Sequence, residues 1–161
     1  MALKVRLIAV GKVKEPFIQA GIAEYSKRLS GYLHLEVVEV PDESIPDDPS
    51  DKILKKILDT EGRRVGRALH ASETVILLDL AGSEWSSVEF AERLSVLKMD
   101  GKSRIAFVIG GSLGVSEDLK KRADLRWRLS DLTFPHQLVR VLVLEQLYRA
   151  CRICRGERYH R

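Results

Sequence analysis

The stretch Thr74-Val75-Ile76-Leu77-Leu78-Asp79-Leu80 decides the fold. It opens on β-branched residues and is apolar on both alternating faces. That pattern suits a strand covered by a layer on each side, the middle of a parallel sheet. Parallel neighbours need long crossovers, normally helices, and the flanking sequence supplies them. Asp51–Leu69 puts Ile53, Leu54, Ile57, Leu58 and Val65 on one helical side, and Ser86–Met99 reads as a helix stopped near Gly101. A second buried strand, Arg104–Ile109, follows and runs directly into Gly110-Gly111.

Outward from this centre the alternation continues. Leu3–Val10 is a nearly continuous apolar strand closed by Gly11. Pro16–Leu29 has helical spacing, with Phe17, Ile18, Ile22, Tyr25 and Leu29 toward one side. Leu33–Val40 is a strand ended by Pro41, and the acid- and proline-rich Asp42–Ser50 is an exposed loop. On the other flank Ala81-Gly82-Ser83 is expected to turn the chain. Ser116 caps a short helix, Glu117–Ala123, with acids in its first turn. Trp127–Leu132 reads as the last strand. Pro135 opens a final helix that runs to Arg155 and stops at Gly156. The rhythm predicts one α/β domain spanning residues 1–161, three-layered, with a mainly parallel sheet.

Bulk properties narrow the function classes. With 45% hydrophobic and 31% charged residues, the 161-residue chain can build a core and is no disordered segment. No apolar run reaches membrane-spanning length, so no membrane partner is expected. The apolar start lacks a small-residue cleavage site and reads as the first strand, which implies a cytoplasmic protein. Cys151 and Cys154 form a C-x-x-C pair, but no second pair completes a zinc site. They are expected to be buried, reduced thiols of an apolar helix, and no metal is expected.

Charge is unevenly spread. Lys120–Arg161 holds 11 Lys/Arg against 4 Asp/Glu, whereas the rest of the chain holds 16 against 19. A basic end on a mildly acidic body fits a phosphate-rich partner, and it equally fits an arginine-rich solvated helix face. The last helix is apolar around most of its circumference, from Leu138 to Cys154. A helix on one sheet face needs a single apolar stripe, so a second surface is expected, and a homodimer supplies it most simply.

The candidate chemistry gathers in the last third. Gly110-Gly111-Ser112-Leu113-Gly114 follows a buried strand, where ligands sit in open α/β folds and glycines admit close backbone approach. It is neither a Walker loop nor a G-x-G-x-x-G fingerprint, and a plain tight turn is as good a reading. Asp79, at a strand end, can meet a ribose or cap a loop, and Leu78 can form an apolar wall. Ser130-Asp131-Leu132-Thr133-Phe134-Pro135-His136 offers backbone groups and an aromatic ring suited to an adenine edge. His136 lies at a positive helix end, which favours the neutral imidazole. The terminal Arg158-Tyr159-His160-Arg161 combines rings and cations that stack on an unpaired base and neutralise phosphate, or form a plain basic tail.

These pieces, taken in order, carry a family resemblance. The opening LIAVGKVKEPF, the strand VILLDLAGSEW, the turn FVIGGSLGVS and the run LTFPHQLVRVLVLEQLYRACRICRGERYHR resemble the RlmH branch of the SPOUT methyltransferases, over essentially the whole chain. The resemblance implies an α/β fold whose C-terminal segment is tied into a deep trefoil knot. It implies S-adenosylmethionine (SAM) as cofactor and action as a homodimer. It also implies methylation of N3 of a pseudouridine in the helix 69 loop of 23S rRNA on the assembled ribosome. Carried over by position, it assigns Leu78, Gly110, Gly111 and Ser130, Asp131, Leu132, Thr133, Phe134 and Pro135 to the cofactor. It assigns His160, Tyr159 and Arg140 to catalysis, and His136, Arg158 and Arg161 to substrate. The turn here reads Gly-Gly-Ser-Leu-Gly where some relatives have Gly-Gly-Pro-Glu-Gly, which weakens any role for Ser112 and Leu113. Two rivals remain open: a docking dimer that binds the ribosome without catalysis, and a methyltransferase acting on tRNA.

Overall fold

The computed structural model describes residues 2–161. Strands β1 (Lys4–Val10), β2 (His34–Val40), β3 (Thr74–Ser83), β4 (Arg104–Ile109) and β5 (Leu125–Trp127) alternate with helices α1 (Pro16–Leu29), α2 (Asp51–Ala68), α3 (Ser87–Met99), α4 (Glu117–Arg122) and α5 (His136–Cys154). The strands form one sheet in the order β2-β1-β4-β3-β5, with every pairing parallel. Period-two alternation sorts the core. Val5, Leu7 and Ala9 of β1 face a cluster with Leu29 of α1, Phe90 and Leu94 of α3, and Leu144 and Leu147 of α5. Ile8 and Val10 face the other way, against Val65 of α2 and Leu119 of α4. The result is the expected three-layer α/β architecture.

Helix starts follow local chemistry. Ser50 and Ser116 accept hydrogen bonds from Ile53 N and Leu119 N, each at 3.3 Å. At α3 the exchange is reciprocal. Ser86 Oγ accepts from Glu89 N at 3.1 Å, and Glu89 Oε2 accepts from Ser86 N at 2.6 Å.

Two expected boundaries are corrected. Ala81-Gly82-Ser83 does not turn the chain. The segment stays extended, and β3 bulges so that both Leu78 and Ser83 register with Trp127 of β5. A Cβ on Gly82 would lie 2.7 Å from Arg126 C, so only glycine lets the bulge hug β5. The expected last strand, Trp127–Leu132, is instead Leu125–Trp127. One further hydrogen bond, Arg128 N to Ser83 O at 2.9 Å, ends the pairing. The chain then leaves the sheet as a loop to α5.

Helix α5 lies between α1 and α3, with Val143, Leu144, Leu147 and Ala150 fully buried. A Cβ on Gly21 of α1 would meet Val141 at 3.1 Å, a measure of how closely the two helices approach. Much of the apolar circumference that suggested a partner is therefore covered within the chain. The thiol pair is also less buried than expected. Cys151 is half-buried and Cys154 exposed, its Sγ 3.2 Å from Ser95 Oγ. Burial still pushes the Cys151 thiol up to about 11, which keeps it protonated and inert near neutral pH. Among the described residues no helix is long and apolar enough to cross a membrane.

Candidate active site

At the carboxyl ends of β3 and β4 a cleft of about 610 Å³ opens between the Gly110–Val115 turn and the loop after β5. Its size and position suit a nucleotide-like ligand in an open α/β sheet. Gly110 forms part of its floor. A Cβ there would sit 2.2 Å from Gly114 O and 2.8 Å from Val115 Cγ1, so the turn admits no side chain. Gly111 and Gly114 form an antiparallel bridge, and Gly114 takes φ +94°, a left-handed conformation that glycine adopts without strain. Backbone polar groups thereby line the cleft.

Most of the expected cofactor residues gather here. Leu78, Gly110, Gly111, Ser130, Leu132, Thr133, Phe134 and Pro135 all line the cleft, and so does His136. Asp131 does not. Its carboxylate is 83% exposed and pairs with Arg128 Nη1 at 2.5 Å, while Ser130 Oγ accepts from Leu132 N at 3.0 Å. These two contacts shape the loop, one by charge and one as a local side-chain turn. Asp79 is likewise engaged. One oxygen accepts from Arg126 Nε at 2.6 Å and the other from Ala81 N at 3.0 Å, so it closes the β3 bulge.

Residues not singled out by the sequence complete the walls. Leu80 is 71% exposed at the cleft, beside the expected Leu132 at 68%, unusual for large apolar side chains. Leu129 and Val139 add apolar surface, and Glu117 and Lys120 of α4 add charge. Trp127, 97% buried by its 3% exposure, also lines the cleft, and its indole N–H has no hydrogen-bond partner among the described residues. Alternation of Trp127 and Leu129 around polar residues was the available signal, and it read as a strand.

His136 is half-buried. Burial and, secondarily, the charge of Arg140 hold its imidazole below the usual 6.5, with Asp42 opposing. The neutral form expected from the helix end is thus favoured by desolvation first. The unfolded chain takes up the proton at higher pH than the folded one, so stability present above about pH 6.5 is lost as pH falls below it. His136→Gln is expected to flatten the acid limb of urea-unfolding free energy between roughly pH 7 and pH 5. An acid limb identical to the wild type would contradict this burial of a neutral ring.

The remaining expected site residues lie elsewhere. Arg140 is fully buried. Its Nη1 donates to Glu39 Oε2 at 2.7 Å, and its Nη2 donates to Val10 O and Gly11 O at 3.0 and 2.9 Å. Glu39 Oε2 also accepts from Val13 N at 2.9 Å, so the group ties α5 to the end of β1 and to the loop beyond. The C-terminal tail is docked against the far end of α5. Tyr159 packs edge-on to Tyr148 at 5.0 Å, lies under the Arg149 guanidinium at 4.7 Å, and donates to Glu145 Oε1 at 3.2 Å. Burial and Glu145 push the Tyr159 phenol up, so it remains a donor. His160 is exposed, with Nδ1 3.4 Å from Arg149 Nη1. Arg158 and Arg161 are exposed, and among the described residues their side chains make no ion pair. His136 and Arg149 stand 13 residues apart on α5, roughly 20 Å at 1.5 Å per residue.

Fold and cleft together define an α/β protein with an open cleft at the carboxyl edge of a parallel sheet. Residues 3–160 match a family described as predicted SPOUT methyltransferase. Two relatives bear the name ribosomal RNA large subunit methyltransferase H. That of Desulfitobacterium hafniense is 49% identical and that of Clostridium kluyveri 47%, each over 159 residues and at least 99% of both chains. The chain belongs to the SPOUT methyltransferase family. In fold it is similar to a probable methyltransferase from Bordetella pertussis, with TM-score 0.59 and 18% identity over 92% of this chain and 96% of the other. It is also similar to a probable methylase family protein from Haemophilus influenzae, with TM-score 0.57 and 14% identity over 98% of this chain and 70% of the other.

Proposed function

We propose that this chain is a SAM-dependent methyltransferase of large-subunit ribosomal RNA, acting at N3 of a pseudouridine in the helix 69 loop of 23S rRNA on the assembled ribosome. The observation that carries the reading is the glycine-floored cleft, lined by eight of the nine residues expected to hold the cofactor. The relatives' names supply the substrate class. The residues present suit SAM. Leu78, Leu80 and Leu132 offer apolar walls for an adenine ring, the turn offers backbone donors and acceptors, and the Trp127 N–H is a buried donor without a partner among the described residues. The reading includes the family's trefoil knot, which would keep the bound cofactor bent.

Bound there, SAM supplies an activated methyl group on its sulfonium. The protein's task is to align a nucleophile and dispose of a proton, largely proximity catalysis. N3 gains the methyl group and loses its proton, while the sulfonium becomes a neutral thioether. His160 is assigned as acceptor of that proton, and Tyr159 as the ring that positions the base. Arg158, Arg161 and His136 are assigned to the substrate RNA. Arg140, expected at the reacting base, takes a different part here. With no surface it acts through the frame, holding the start of α5 and therefore His136 and the cleft loop.

The tail lies about 20 Å along α5 from the cleft of its own chain. We therefore assign the tail to the cleft of a second copy in a homodimer. Exposed Phe17 on α1 and the half-buried Leu138 and Leu142 on α5 are apolar surface available to such a contact. Sedimentation as a monomer at micromolar concentration would sink the dimer.

Mass mapping of rRNA after incubation with SAM and assembled ribosomes tests the reaction: one added methyl group in the helix 69 loop is expected, and no added mass refutes it. His160→Ala is expected to slow single-turnover methylation by about 10²-fold or more, the ordinary contribution of a positioned base. Tyr159→Phe should slow it less, since the ring remains. Unchanged rates for both would remove the tail from the chemistry.

A further inference from the structure

At the opposite pole of the sheet a second pocket of about 380 Å³ lies among the amino ends of three strands. The register there is informative. Lys4 of β1 pairs with His34 of β2 on one side and with Arg104 of β4 on the other. In-register parallel partners project from the same face, about 4.8 Å apart, so His34, Lys4 and Arg104 form one row roughly 10 Å long. All three are exposed.

Like charges side by side on adjacent strands are locally unfavourable unless an anion offsets them. The nearby acids do not do so. Glu73, deeply buried, is taken by Arg6 Nη1 at 2.9 Å and by His70 N at 2.8 Å. Glu36 leans on Arg6 Nε at 3.5 Å. Among the described residues Lys4 and Arg104 have no acidic partner.

From this row and its pocket we propose a phosphate-binding site that grips the RNA backbone away from the reacting nucleotide. Lys4 contributes a point charge and Arg104 a planar fork of donors matched to phosphate oxygens. A strand of seven residues separates this pole from the cleft end of the sheet, roughly 20 Å at 3.3 Å per residue. The two grips would fix the orientation of the protein on a folded RNA while carrying no sequence information. This proposal rests on the reading of ribosomal RNA as substrate.

The test uses the full chain carrying Lys4→Glu and Arg104→Glu together, with Lys4→Gln and Arg104→Gln as a milder pair should charge reversal impair folding. Binding to purified assembled ribosomes is measured by co-sedimentation across a salt series, and methyl transfer is measured separately. Charge reversal is expected to weaken binding about tenfold at 100 mM salt and to lower the log–log salt slope by roughly 2, one per lost phosphate contact. The single-turnover rate at saturating ribosomes should be unchanged. Equal affinity and slope for wild type and both variant pairs would overturn the site. So would inorganic phosphate that shifts the Lys4 and Arg104 amide resonances while RNA affinity stays unaltered, since the site would then serve free phosphate. Wild type that binds assembled ribosomes but transfers no methyl group would refute the reaction alone. Wild type that does not bind refutes both.

Discussion

Arg140→Ala is expected to lower the unfolding free energy by about 3 kcal/mol, at the lower end of the range for breaking a buried ion pair. The lower end applies because Glu39 keeps 36% of its side chain exposed and can recruit water when its partner is lost. The carbonyls of Val10 and Gly11 lose their donors in a buried setting, which adds the cost of unmet hydrogen bonds. Against a total stability of roughly 5–15 kcal/mol this is a large fraction. Urea unfolding monitored by circular dichroism measures it, with Arg140→Lys expected to recover only part of the loss because one ammonium cannot replace a fork of donors. A midpoint within experimental scatter of the wild type would show that the clamp contributes nothing. SAM titration of the variant in its folded range separates the frame from the cleft: weaker binding is expected through His136, four residues earlier on the same helix face.

Gly110→Ala is expected to weaken SAM binding more than tenfold, equivalent to about 1.4 kcal/mol or more. The added carbon would meet Gly114 O at 2.2 Å, and that obstacle is backbone, so the turn itself must open. Isothermal titration calorimetry reads the loss directly. Gly66→Ala is the control. Gly66 lies in α2 with nothing within 4 Å of an added Cβ, and the change should stabilise the helix by roughly 0.5–1 kcal/mol without touching the cleft. Wild-type affinity in the Gly110 variant would remove the turn from cofactor binding.

The central strands were legible because parallel strands buried on both faces leave no polar alternation to confuse, as in Thr74–Leu77 and Ile105–Ile109. Trp127–Leu132 was misleading for the opposite reason. Trp127 and Leu129 fall two apart, but beyond Trp127 the chain leaves the sheet and lines the cleft, and periodicity does not distinguish the two. Arg140 carries a second lesson. In sequence it is one cation in a basic segment, and its partner Glu39 stands 101 positions away. Only tertiary structure turns that arginine into a buried clamp. The cofactor residues were legible by position in the resembling motifs, while their separation from the tail depends on the length of α5. Composition singled out the basic C-terminal end and passed over the Lys4–Arg104 row, because its members are about 100 residues apart and meet only through strand register.

That register also governs how the chain can be born. The internal strand β1 needs β4 as a neighbour, and β4 begins 100 residues later. At synthesis rates of about 5–20 residues per second, β1 waits on the order of 5–20 s for its second partner. Through that interval Val5, Leu7 and Ile8, fully buried in the finished protein, have no complete sheet to enter. Folding of the sheet must therefore finish late, after β4 has been synthesised and released from the exit tunnel.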